Sequence, residues 1–117
     1  MAHDATILIV EDEDAIRLTL RDYLQKIGYT VLVASEGTGA IQQLLDHHVD
    51  LIVSDYRMNI LGGQYWIRFL ERYCSDIKVI ITSGYLQPDF QIPFATVAKP
   101  YDYGDLAEKI AGMLAGS

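Results

Sequence analysis

Cysteine is nearly missing from this chain: Cys74 is the single one, so an internal disulfide is excluded and a reducing compartment is expected. Its plainest role is that of a packing residue on a helix. Histidine is scarce as well, with three residues, and His47-His48 is one adjacent pair rather than a zinc ligand set. His3 belongs to the terminus, where chains fray. Basic residues are outnumbered, 9 against 16 acidic ones, leaving a net charge of −7. A domain so acidic is poorly suited to gripping nucleic acid or an anionic membrane. No apolar run approaches the roughly 20 residues needed to cross a bilayer, and nothing reads as a secretory signal. Linkers, repeats and low-complexity tracts are also lacking. The 117 residues are half apolar and 21% charged, which argues against disorder and for one compact domain spanning residues 1–117.

What is present is an alternation of two periodicities. Short runs rich in Val, Ile, Leu and Thr at roughly 6–10, 30–34, 50–54, 77–81 and 95–98 predict strands. Between them, residues 14–27 align Ile16, Leu20, Tyr23, Leu24 and Ile27, and residues 38–47 align Ala40, Ile41, Leu44 and Leu45. Residues 64–74 align Trp66, Phe69, Leu70 and Tyr73, and residues 103–114 align Leu106, Ile110, Met113 and Leu114. These spacings place one apolar stripe on each of four helices. Gly28 is positioned to stop the first helix and Asp102 to cap the last. Most of the eight tyrosines fall on such stripes and read as core or rim. Strands alternating with helices imply a doubly wound α/β domain with a parallel sheet. One connection breaks the rhythm. Residues 82–95 contain both Pro88 and Pro93, so a short turn or irregular loop is expected there and the fourth helix is short or missing.

The polar residues that end the runs carry the chemistry. Glu11 and Asp12 follow the first run, Asp55 the third, Thr82 the fourth and Lys99 the fifth. Open α/β sheets bind ligands beyond the carboxyl ends of their strands. If the first and third runs are neighbours, three carboxyl groups converge in one crevice, where like charges resist joint ionisation. A hard cation such as Mg²⁺ would resolve that conflict, and an all-oxygen donor set suits it. A carboxylate nucleophile with an ammonium and a hydroxyl opposite it fits phosphoryl transfer onto Asp55, with Lys99 and Thr82 facing the transferring oxygens. Gly37-Thr38-Gly39 only superficially suggests a phosphate loop, since the GK[ST] ending is lacking.

Val10-Glu11-Asp12, Asp55 with Met58 three residues on, Thr82-Ser83-Gly84 and Lys99-Pro100 stand in an order and spacing that resembles the receiver domain of two-component response regulators, over essentially the whole chain. That resemblance implies a flavodoxin-like five-stranded sheet of order 2-1-3-4-5. It implies that Asp55 is the phospho-acceptor and that Asp12, Asp55 and the backbone carbonyl of Arg57 are direct Mg²⁺ ligands. Glu11 would act mainly through a metal-bound water, Thr82 as a hydroxyl switch, and Lys99 as partner of the phosphoryl group. It also implies a cytoplasmic, non-enzymatic signalling protein. Its phosphodonor would be a histidine kinase or a histidine phosphotransfer protein, and its output a contact with a downstream protein not named by the sequence. The chain would be a stand-alone regulator or a receiver excised from a longer one.

The chain also departs from the family pattern. Glu11 stands where the family more often has Asp, and Gly62 where an Asp cap is usual. Thr96 occupies the place of a Tyr or Phe that turns inward on phosphorylation. Tyr85 and Tyr101 are candidates to replace that aromatic, with packing on the crevice rim as the alternative. Arg57 is either a solvated loop residue or a group that hinders water attack on the acyl phosphate. Two rival functions follow from these departures. One is a receiver-like interaction module independent of phosphate. The other is a Mg²⁺-dependent phosphatase, which Arg57 disfavours because it occupies the place of the second acid in the Asp-x-Asp pattern.

Overall fold

A computed structural model describes residues 4–57, 63–84 and 92–116. Five strands, β1 (Thr6–Val10), β2 (Thr30–Ala34), β3 (Leu51–Asp55), β4 (Lys78–Ser83) and β5 (Ala95–Ala98), form one sheet of order β2-β1-β3-β4-β5. Every neighbouring pair is parallel. Four helices lie among the described residues: α1 (Asp14–Ile27), α2 (Gly37–Asp46), α3 (Gly63–Tyr73) and α4 (Tyr103–Ala115). This is the flavodoxin-like, doubly wound arrangement. Residues 85–91 of the fourth crossover, Tyr85 and Pro88 among them, and the positions of His3, Met58 and Gly62 lie outside the described residues.

Alternation along the strands divides the core in two. Leu8, Val10, Ile52, Val79 and Ile81 pack with Ala40 of α2 and with Trp66, Ile67 and Leu70 of α3. Ile7, Ile9, Leu51, Val53 and Ile80 pack on the other face with Leu20 and Leu24 of α1 and Leu106 and Ile110 of α4. Side chains of this size, removed from water, stabilise by about 1.5–3 kcal/mol each before conformational entropy is counted. β3, the middle strand, is buried along its whole length, which explains why its run is continuous rather than alternating.

Local signals set the helix ends. Gly28 adopts φ +121° and donates its N–H to the Leu24 and Gln25 carbonyls, a geometry that a side chain would resist. The Glu36 carboxylate accepts from the N–H groups of Thr38 and Gly39, starting α2 at Gly37, one residue before the apolar pattern suggests. Asp102 accepts from the Asp105 N–H, as expected of an N-cap.

Two strands run one or two residues further than the apolar runs do. The β3–β4 ladder continues to the pair Asp55 and Thr82, because backbone pairing does not depend on side-chain polarity. Three residues of the apolar stripes are exposed instead: Leu45 at 80%, Tyr73 at 67% and, least so, Tyr23 at 37%.

Candidate functional site

β1 and β3 are adjacent in the sheet, and their paired registers end at Val10 and Ser54. The next residues, Glu11 and Asp55, therefore emerge side by side at the carboxyl edge. Asp12 joins them: one carboxylate oxygen from each of Glu11, Asp12 and Asp55 lies within 4.8 Å of the others. Glu11 and Asp55 are buried and Asp12 is exposed, so the group opens to solvent on one side. Thr82, buried, pairs in register with Asp55 on β4, so the two side chains leave the same face of the sheet.

Lys99 closes the group from β5. Its backbone N–H donates to the Ser83 carbonyl at 2.8 Å, carrying the strand pairing one step past β5. The Lys99–Pro100 peptide bond is cis. The Lys99 Nζ donates to Glu11 Oε1 at 2.6 Å and to Asp55 Oδ2 at 3.0 Å. The remaining carboxylate oxygens are held by the backbone, Glu11 Oε2 by the Glu13 N–H at 3.1 Å and Asp55 Oδ1 by the Arg57 N–H at 3.3 Å. Arg17, ion-paired with Asp14, donates through Nη1 to the Glu11 carbonyl and so anchors the start of α1 to the acidic turn.

Electrostatics follow from this packing. Burial is the largest influence on Glu11 and raises its carboxyl above the ordinary value, with the Asp55 charge adding to the effect; Lys99 and the Glu13 N–H pull the other way. Burial lowers Lys99, but the two carboxylates hydrogen-bonded to it outweigh burial and hold it above its usual value. Three carboxylates and one ammonium leave two uncompensated negative charges, the charge a divalent cation would neutralise. The donors are all oxygen, so the site fits Mg²⁺ by charge and by ligand chemistry.

The structure brings Glu11, Asp12, Asp55, Thr82 and Lys99 to one edge, and places Arg57 immediately beside them with its side chain exposed. It adds contacts that the sequence did not disclose. The Trp66 indole N–H donates to Ser54 Oγ at 2.8 Å, and Ser54 Oγ donates to the Asp55 carbonyl at 3.0 Å, all in the buried core. α3 is thereby tied to the backbone of the central acid. The only hint in the sequence is a Ser inside an apolar run.

Thr96 is exposed on β5. Tyr101 instead packs inward, its ring 5.7 Å from that of Tyr103, which meets Tyr23 of α1 at 5.9 Å. Burial, followed by the Tyr103, Glu11 and Asp55 neighbours, raises the Tyr101 phenol well above its ordinary value. Ile16, Pro100, Tyr101 and Tyr103 line a cleft of about 260 Å³ next to Lys99.

Comparison with known proteins agrees with this architecture. Residues 7–111 match the response regulator receiver domain family, and the chain belongs to that family, a module of two-component signalling. The sensor kinase CckA of Brucella abortus is 37% identical over 122 residues, covering 97% of this chain and 13% of that protein. Sporulation initiation phosphotransferase F of Bacillus subtilis is 26% identical, covering 89% of each. The transcriptional regulatory protein YxdJ of Bacillus subtilis is 26% identical, and the match covers 49% of its length. Against the longer relatives, then, this chain spans half or less of the protein. Among solved structures, the receiver domain of the hybrid histidine kinase CckA superposes with TM-score 0.81 at 31% identity, covering 94% of this chain and 99% of that one. The response regulator TrrA of Thermotoga maritima, in complex with Mg²⁺-BeF, gives 0.79 at 26% identity over 92% of this chain and 97% of that one. No helix among the described residues is long and apolar enough to cross a membrane.

Proposed function

We propose that residues 1–117 form one receiver domain that accepts a phosphoryl group on Asp55 from a phosphohistidine of a histidine kinase or phosphotransfer protein, in the cytoplasm. The observation that carries this reading is the position of Lys99 Nζ, 3.0 Å from Asp55 Oδ2 at the mouth of a three-carboxylate cluster. An Asp55 carboxylate oxygen attacks phosphorus. The bond from phosphorus to the imidazole nitrogen breaks, its electron pair stays on that nitrogen, and an acyl phosphate remains. Lys99 turns from the carboxylates to the phosphoryl oxygens, and the Thr82 hydroxyl donates to one of them. Mg²⁺, held by Glu11, Asp12, Asp55 and the Arg57 backbone carbonyl, would offset charge on the transferring oxygens. Beyond its own phosphorylation and dephosphorylation the domain needs no enzymatic activity. Its signal is a population shift between surface states read by a protein partner, not by nucleic acid or membrane.

Incubation with Mg²⁺ and acetyl phosphate tests the reading by intact mass. A gain of one phosphoryl group is expected for the wild type, with none for Asp55→Asn or in EDTA. A wild-type protein that gains no mass would instead be an interaction module independent of phosphate, a reading that Thr96 in place of the aromatic favours.

A further inference from the structure

The outer side of α3 and its seam with α2 have no part in the chemistry above. Five large apolar or aromatic side chains are exposed among the described residues, and the three most exposed lie here: Leu45 at 80%, Tyr73 at 67% and Tyr65 at 65%. Between α2 and α3 runs a groove of about 450 Å³ whose apolar lining includes Leu44, Leu45, Phe69, Tyr73 and Ile77. Phe69 and Tyr73 also border a second, shallower hollow along α3, with Tyr65, Arg68 and Arg72. The two hollows therefore share the wall formed by Phe69 and Tyr73.

The arginines on this face are held in an unusual way. The Arg68 guanidinium lies over the Tyr65 ring at 5.7 Å from its centroid, and Arg72 over the Tyr73 ring at 5.5 Å. Arg17 and Arg21 are ion-paired with Asp14 and Asp22, whereas among the described residues Arg68 and Arg72 pair with no carboxylate. A guanidinium resting on an aromatic face keeps its N–H edge free and its position fixed. The two lie one helical turn apart, as do carboxylates at i and i+4 of a facing helix. With Glu71 the second hollow carries a local charge of +1, and Asp76 on the neighbouring groove brings the whole face to neutrality, on a chain of net −7.

We propose that this face binds an amphipathic helix of a partner protein, its carboxylates on Arg68 and Arg72 and an apolar side chain in the α2–α3 groove. Tyr and Arg around an apolar pocket are the residues that dominate binding energy in protein interfaces. A polyanion such as RNA would meet the repulsion of the whole chain and would leave the apolar groove unfilled. The proposal is independent of phosphorylation at Asp55.

One helical peptide with a leucine stripe, made in three versions bearing Glu, Gln or Lys at the flanking i and i+4 positions, tests this on the whole chain. Net charge alone predicts that the Lys version binds best. The proposal predicts the order Glu, Gln, Lys by fluorescence anisotropy, with amide shift changes confined to α2 and α3. R68E/R72E should weaken the Glu version about tenfold or more and reverse the order. Leu45→Glu, on an exposed position, should weaken all three versions with the amide spectrum otherwise unchanged.

Tightest binding of the Lys version, the same order on R68E/R72E, or shifts on α1 and α4 would overturn the proposal. So would a dimer of the chain, or binding of an RNA oligonucleotide, that R68E/R72E abolishes.

Discussion

Lys99 is the counter-ion of a nearly buried pair, with Glu11 Oε1 and Asp55 Oδ2 both within hydrogen-bond reach of its nitrogen. Removing one partner of such a group leaves the other charges desolvated and opposed. Lys99→Met, which keeps most of the stem, is expected to lower stability by about 2–4 kcal/mol in EDTA, as read from urea denaturation. A divalent cation at the three carboxylates supplies the missing positive charge, so millimolar Mg²⁺ should close much of the gap to wild type. Equal losses with and without Mg²⁺ would show that the carboxylates do not share one cation site. The residues of this cluster were legible because each ends an apolar run. The direct bond between Glu11 and Lys99 was not, because it joins positions 88 residues apart and depends on the two being desolvated together.

Among the elements, β3 and α3 are fastened at the level of Asp55. Trp66 is fully buried, and its indole N–H has Ser54 Oγ as acceptor, while that hydroxyl reaches the Asp55 carbonyl. Ser54→Ala deletes one small oxygen yet strands a buried donor, an imbalance that costs about 1–3 kcal/mol. The expected result is a lower urea midpoint with an unchanged slope, and the same gain of phosphoryl mass on Asp55. A midpoint equal to that of wild type would mean that water or a rotated rotamer satisfies the indole.

Periodicity located all of these elements to within a residue or two, since strands here are continuous β-branched runs and helices carry single stripes. It misplaced Leu45 and Tyr73, which share the stripe but lie at helix ends, beyond the reach of the sheet. Periodicity reports the side of a helix, not how far the packed surface extends along it. The link between Lys78 Nζ and the Met113 carbonyl, which satisfies the end of α4 from β4, was likewise hidden by a separation of 35 residues.

Across the molecule, the two ends of the sheet respond to acid in opposite senses. At the carboxyl end burial raises Glu11, so its folded form binds a proton more readily than the unfolded chain does, and the cost of keeping it charged grows as pH rises. At the amino end Asp50 joins three strands. Its Oδ2 accepts from the Thr6 N–H at 2.8 Å, its own N–H donates to the Thr6 carbonyl, and its carbonyl accepts from the Lys78 N–H. Its Oδ1 lies 2.9 Å from His48 Nε2.

The Thr6 N–H is the largest influence lowering the Asp50 carboxyl below its ordinary 3.8, with His48 assisting and burial opposing. A carboxyl lowered in the folded state stabilises fully above its unfolded value and loses that contribution as pH falls through the folded one. Asp50→Asn, which retains an acceptor but not the charge, is therefore expected to cost about 1–2 kcal/mol near neutral pH. The difference from wild type should shrink steadily below pH 3.8, as urea midpoints measured at successive pH values would record. A difference that stays constant into acid would mean that the Asp50 charge contributes nothing, and that neutral hydrogen bonds alone join β1 to β3 at this end.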